Sequence, residues 1–183
     1  PSFTNSLRGS YNTFRQSYQQ AIMAYVNYSN TRNSISSKVT YDDKTGGRTT
    51  RPENINGNWN VDGGLMFNTA IDSAGYFNVN TFTQVSYQNQ VGYLSLSGTD
   101  SQKNTTRTTS LSERLAASYR NSWFEFELNG QLKFNHTRNL LQAQNNLDTW
   151  NFNYGANIGF TLPWGTGLNI DIHENSRRGY NDK

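Results

Sequence analysis

The chain has 183 residues, enough for one domain of ordinary size. Its hydrophobic share, 33%, is low beside the roughly 45–50% of soluble domains, but its 11 Tyr, 10 Phe and 4 Trp exclude a disordered chain, which is poor in such rings. The absence of Cys excludes disulfides and thiolate metal sites, and a net charge of +3 spread along the chain excludes the concentrated basic footprint of a nucleic-acid binder.

Strict alternation of apolar and polar residues, the mark of a strand with one wet face, recurs from end to end. Strands are predicted over residues 3–14, 18–41, 48–71, 76–97, 106–120, 123–141, 148–162 and 167–178. In the second, Ile22, Ala24, Val26 and Tyr28 form the apolar side. In the third, Trp59, Val61, Leu65, Phe67 and Ile71 oppose Asn60, Asp62, Gly64 and Asn68. In the fourth, Phe77, Val79, Val85, Tyr87, Val91 and Tyr93 oppose Asn78, Asn80, Gln84, Ser86, Gln88 and Gln90. The fifth carries Leu111, Leu115, Ala117 and Tyr119; a helical turn over 111–115 also fits, and the strands on either side decide for a strand. The sixth sets Phe124, Phe126, Leu128, Leu132 and Phe134 against Glu125, Glu127, Asn129, Gln131, Lys133 and Asn135. The seventh is the cleanest: Trp150, Phe152, Tyr154, Ala156, Ile158, Phe160 and Leu162 alternate with Asn151, Asn153, Gly155, Asn157, Gly159 and Thr161. The eighth sets Leu168, Ile170 and Ile172 against Asn169, Asp171 and His173.

Short turns near 15–17, 72–75, 120–122 and 163–166 alternate with longer polar loops near 42–51, 98–106 and 142–147. Tight turns at one end and long loops at the other are the asymmetry of an outer-membrane barrel. The fold class expected is therefore all-β: an antiparallel up-and-down meander of about eight long strands, part of a transmembrane β-barrel. No apolar run reaches the roughly 18 residues of a transmembrane helix, but a barrel needs none. Phe14, Tyr18, Tyr76, Phe77, Tyr119, Trp123, Phe124, Phe160 and Trp164 lie beside the short turns, where a girdle of interfacial rings is expected. The lipid-facing or girdle residues expected are Phe77, Val79, Tyr119, Trp123, Phe124, Phe126, Trp150, Phe152, Tyr154, Ile158, Phe160 and Trp164. Those expected to face a wet lumen are Asn78, Asn80, Gln84, Gln88, Glu125, Glu127, Gln131, Lys133, Asn151, Asn153 and Asn157. Glu113 and Glu174 break the apolar parity and are expected toward the long-loop end, where a carboxylate costs least. His136 and Arg138 share that parity and are expected above the bilayer.

Catalytic constellations are absent. His136 and His173 have no metal-ligand spacing to other donors, and no metal site or cofactor is expected. Glu125 and Glu127 form an i, i+2 pair that resembles a glycosidase pair only superficially; facing a wet lumen, they need no catalysis, and Lys133 is expected to pair with one of them. The chain is not expected to be an enzyme. Asn27-Tyr28-Ser29, Asn104-Thr105-Thr106 and Asn135-His136-Thr137 match the glycosylation pattern at the frequency so many Asn, Ser and Thr produce by chance. The segment 42–47 lacks the spaced acceptors and terminal Glu of a calcium loop and reads as a β-turn. Arg177-Arg178 forms a small basic patch at a strand tip.

Thr45–Asn60, Thr81-Phe82 with Val91-Gly92-Tyr93-Leu94, Leu111–Leu115, Ser118–Asn121, Asn135–Asn139, Asp148–Phe152, Leu162-Pro163-Trp164-Gly165 and Ser176–Tyr180 follow one another in an order and spacing that resembles the outer-membrane β-barrel proteins of Bacteroidota, a TonB-dependent-receptor-like family. The resemblance runs over nearly all of the chain and is most specific over 45–60 and 148–165. Family members are similar to large barrels with a secretion signal, a carboxypeptidase-regulatory-like β-domain and a plug. The chain opens on Pro1 and closes on Lys183 without a terminal aromatic residue, so it is expected to be an incomplete single segment, 1–183, of a barrel wall. The resemblance implies a nutrient importer of the Gram-negative outer membrane. Its implied partners are outer-membrane lipid, the remainder of the barrel with a plug, an energising inner-membrane complex and a ligand of open class; nucleic acid is not among them. The alternatives are a barrel without transport, serving as scaffold or adhesin, a complete eight-stranded barrel closed by pairing of 3–14 with 167–178, and a soluble all-β carbohydrate-binding module.

Overall fold

A computed structural model describes residues 1–96 and 98–180. Ser97, the expected end of the fourth strand, and residues 181–183 of the expected segment lie outside the described residues. The chain is all-β, with strands β1 (Phe3–Arg15), β2 (Gln20–Arg32), β3 (Ser34–Tyr41), β4 (Arg48–Ile55), β5 (Asn58–Ala70), β6 (Phe77–Leu94), β7 (Gln102–Arg120), β8 (Phe124–Asn139), β9 (Leu147–Thr161) and β10 (Gly167–Arg178). Eight of them form one antiparallel sheet in the order β1-β2-β5-β6-β7-β8-β9-β10, and β3 and β4 pair as a separate two-stranded ribbon. No helix is long and apolar enough to cross a membrane, which says nothing of strands.

The up-and-down order follows from the connections. Four tight turns join β1 to β2, β5 to β6, β7 to β8 and β9 to β10 at one end of the sheet. Side chains close two of them. Asp72 accepts the backbone N–H groups of Tyr76 and Phe77 at 3.1 and 2.9 Å, and Asn121 accepts those of Trp123 and Phe124 at 3.0 and 2.8 Å. The ribbon, residues 95–101 and residues 140–146 make the longer connections at the other end.

Three expectations need correction. The predicted strands 18–41 and 48–71 are each broken. Asn33 turns into the left-handed region (φ 55°), its N–H bonds Asn56 Oδ1 at 2.7 Å, and Gly57 adopts φ 119°. A Cβ at Gly57 would sit 2.8 Å from Val91 Cγ2, so both backbone and space demand glycine there. The chain pair bends at this point, and the ribbon leans on the end of β6. Ser101 Oγ bonds the Val39 N–H at 2.8 Å, Asp100 accepts the Tyr41 N–H at 2.7 Å, and Val39 and Ile55 are buried beneath. The strand expected from 106 begins at Gln102, because residues 102–105 pair with Leu94–Val91 of β6. The third correction concerns closure: β1 pairs only with β2 and β10 only with β9, so the complete eight-stranded barrel is not formed among the described residues.

The sheet is a single layer. Val39, Ile55 and Ala70 are the buried apolar residues among those described. The accessible surface is 12987 Å², whereas a compact monomer of this 20.8 kDa mass exposes about 9,000 Å². The excess, about 4,000 Å² by that scaling, is surface that a globular chain would have covered with a second layer.

Candidate functional site

Strand pairing puts residues that oppose one another on the same face, so register can be followed across all eight strands. Phe14, Ala21, Asn68, Asn80, Ala116, Asn129, Gly155 and His173 form one such row. Counting outward from it by twos separates two faces without a phase error. The apolar parities of all eight strands fall on one face, and the Asn, Gln, Ser and Thr parities on the other.

Asn78, Asn80, Gln84, Gln88, Glu125, Glu127, Gln131, Lys133, Asn151, Asn153 and Asn157 share the polar face. Cross-strand hydrogen bonds lace it together. Asn27 donates to Asp62 at 3.0 Å, Ser110 to Asn135 at 2.7 Å and Thr106 to Asn139 at 2.8 Å, while Asn157 donates to Asp171 and Arg120 pairs with Glu125. Each is an opposed pair, the contact by which a sheet face is stabilised. Lys133 does not meet Glu125 or Glu127; it stands opposite Ser112 and Asn151, six residues along the strand from Glu127. Phe14, expected in the girdle, belongs to this face, together with Tyr25, Met23, Met66 and Phe82, which alternation alone did not bring out.

A groove of about 310 Å³ crosses the polar face over β2, β5, β6, β7 and β8, lined among others by Tyr25, Asp62, Gln84, Ser112, Lys133 and Asn135. The Tyr25 ring fills the space over Gly64, where any Cβ would run into it, and its hydroxyl accepts a hydrogen bond from Gln84 Nε2 at 2.9 Å. At Gly155 the neighbouring side chains of His173 and Asn129 likewise occupy the room a Cβ would need. Gly64, Gly155 and Gly159 on this face are roofed by neighbouring side chains, whereas Gly9 on the apolar face has open space above it.

The apolar face carries Phe77, Val79, Tyr119, Phe124, Phe126, Trp150, Phe152, Tyr154, Ile158 and Phe160, with Trp123 and Trp164 in the adjoining turns. No other sheet or helix among the described residues covers Phe126, Phe152 or Ile158. Beside the short turns, Tyr119, Trp123, Phe124 and Phe160 pack as one cluster, with ring centroids 5.2 to 6.4 Å apart. A second row lies toward the long connections. Tyr28 and Trp59 are 6.4 Å apart, Trp59 and Tyr87 5.0 Å, and Phe134 and Trp150 4.2 Å. Within single strands the two rows keep one interval: Phe77 to Tyr87, Phe124 to Phe134 and Phe160 to Trp150 each span ten residues.

Glu113 and Glu174 lie between the two rows, on the half of the apolar face nearer the long connections. Each is six residues from the short-turn row; Glu174 is four from the level of Trp150, and Glu113 is four from the level of Tyr87 and two from that of Phe134. Thr83, directly opposite, donates its hydroxyl to Glu113 at 2.5 Å. His136 and Arg138 lie beyond the second row and converge on Asp148: His136 Nδ1 is 2.5 Å from Oδ1, and Arg138 forms a bidentate pair at 3.0 and 2.9 Å. Among the described residues no three His, Asp or Glu side chains cluster as metal donors. At the ribbon tip, Asp42 accepts the Lys44 N–H at 2.9 Å and the Thr45 hydroxyl at 2.8 Å, the β-turn expected over 42–47. Arg177 lies 4.4 Å from the Tyr180 ring centre, while Arg178 is on the apolar parity opposite Trp150.

Comparison of the chain with protein-family models, curated proteins and solved structures gives no match.

Proposed function

We propose that the chain is a stretch of barrel wall in the outer membrane of a Gram-negative envelope, and that the barrel serves a nutrient importer of the TonB-dependent-receptor-like kind. One observation carries the barrel reading: an uncovered apolar face bracketed by two aromatic rows ten residues apart. Ten residues of strand rise about 34 Å; at a tilt near 45° that is about 24 Å in height, the apolar band of an outer-membrane barrel. Rings at both margins suit the two interfaces, each burying an apolar body with its polar edge in water. The opposite face would line a water-filled interior, where laced Asn, Gln, Ser and Thr groups are at no disadvantage. The unpaired edges of β1 and β10 would continue into neighbouring strands of the same wall.

The importer part rests on the sequence resemblance and on the groove around Tyr25, whose hydrogen-bonding groups, neutral apart from Asp62 and Lys133, suit a ligand held by many weak contacts. The test is made on the full protein in bilayers. Tryptophan emission is quenched by nitroxides carried on lipid chains, and quenching should be confined to the apolar face and its margins. Equal quenching by a water-soluble nitroxide would sink the barrel reading. Ligand uptake that is indifferent to the energising inner-membrane complex would leave a barrel without transport.

A further inference from the structure

The apolar parity changes character at and beyond the second aromatic row. There the strands carry Arg32, Lys103, Arg107, Arg138 and Arg178 against one carboxylate, Asp148. At the short-turn margin the same parity carries Arg15 alone. The cations are therefore gathered at one margin of one face.

Two of them stand in direct opposition. Arg107 and Arg138 are register partners across β7 and β8, an arrangement of like charges that works against strand pairing. Asp148 takes up Arg138, but Arg107 is exposed and has no ion-pair partner among the described residues. Together with Thr105, Asn139 and Leu140 the two arginines line a notch of about 190 Å³. A guanidinium fork matches the oxygens of a phosphate; Arg107 offers its whole fork, Arg138, whose fork Asp148 holds, offers its remaining N–H groups, and an anion between the two would turn the repulsion into a bridge. Arg138 stands four residues beyond Phe134, about 13 Å along the strand and about 9 Å in height at the tilt used above, and a long side chain reaches back several Å toward the interface.

We infer that the Arg107–Arg138 notch holds the phosphate of a lipid headgroup in the leaflet beside the long connections. The inference rests on the barrel reading, and it names the lipid that such a wall would select. The acyl chains of that lipid would lie against Phe134 and Trp150, the aromatic pair next to the notch.

The full protein in neutral detergent micelles is titrated with a diphosphorylated glucosamine lipid, with the same lipid stripped of phosphate, and with inorganic phosphate. The phosphorylated lipid should bind saturably, and the stripped lipid about tenfold more weakly. Arg107→Gln should lose a similar factor and Arg107→Lys less, with Arg114→Gln, on the polar face, binding as the parent does. Equal binding of the two lipids, or full binding by Arg107→Gln in a variant that keeps the parent's heat-modifiable gel mobility, overturns the inference. Competition by inorganic phosphate at equal concentration overturns the lipid and leaves a soluble anion. Loss of binding in Arg114→Gln but not in Arg107→Gln would instead mean that the faces are inverted, a failure of the barrel reading itself.

Discussion

The Tyr25 ring lies across Gly64, spanning β5 so that its hydroxyl accepts a hydrogen bond from the Gln84 amide on β6. The contact ties three strands together on the polar face through one side chain. Gly64→Ala should displace the ring and break the Gln84 bond, costing about 1–3 kcal/mol. Gly9→Ala, with nothing within 4 Å of the new methyl, should be neutral or slightly stabilising. Urea unfolding of the two variants in detergent compares them directly.

Ala156 and Asn157 are neighbours in sequence on opposite faces of β9, with Ala156 near the middle of the apolar one, opposite Leu128 and Ile172. A lysine in the middle of a lipid-facing band costs about 2–4 kcal/mol, whereas one in a wet interior costs little. Ala156→Lys should therefore unfold at far lower urea than Asn157→Lys when both are measured in bilayers. Equal midpoints would contradict the assignment of faces.

The Glu113 carboxyl is held by one hydroxyl inside an apolar face, between its two aromatic rows. Thr83→Val should remove that partner and destabilise the bilayer-embedded protein by about 1–3 kcal/mol. Glu113→Leu should be neutral or stabilising, and the double variant should resemble Glu113→Leu. A double-mutant cycle in bilayers isolates the pair, and additive effects would dismiss it.

Much of this architecture could be read before any coordinates. The alternation in 148–162 and 76–93 gave strand, face and parity together, because a period of two allows no other assignment over such length. What escaped was non-local. The depth of Glu113 and the second aromatic row depend on how separate strands are registered, and no single segment contains that information. Tyr25 and Phe82 escaped because they sit in the polar phase, where an isolated ring is a minority signal. The break between β4 and β5 did leave a local sign: Asn56-Gly57 is a turn dipeptide inside an otherwise extended stretch. Strand character resumes on both sides of it, which masks the break.

At the ribbon tip the Asp42 carboxyl is pulled below its ordinary value of 3.8, first by the Lys44 N–H and then by the Thr45 hydroxyl. A depressed carboxyl stabilises above its unfolded value and loses that contribution as pH falls through its folded one. The tip should therefore stay ordered at neutral pH and loosen only in acid below the ordinary carboxylate range. An NMR titration should place the Asp42 midpoint under 3.8, and Thr45→Val should move it upward. A midpoint at or above that value would refute the capping role.

The bend at Asn33 and Gly57 has a mechanical consequence. Because the ribbon is moored to Asp100 and Ser101, a load on its tip is not dissipated at a free hinge. It passes as torque into β7, a central strand of the sheet that begins at Gln102, and so into the strands that carry the groove. The ribbon is a lever arm with its fulcrum at the long-connection end of the sheet.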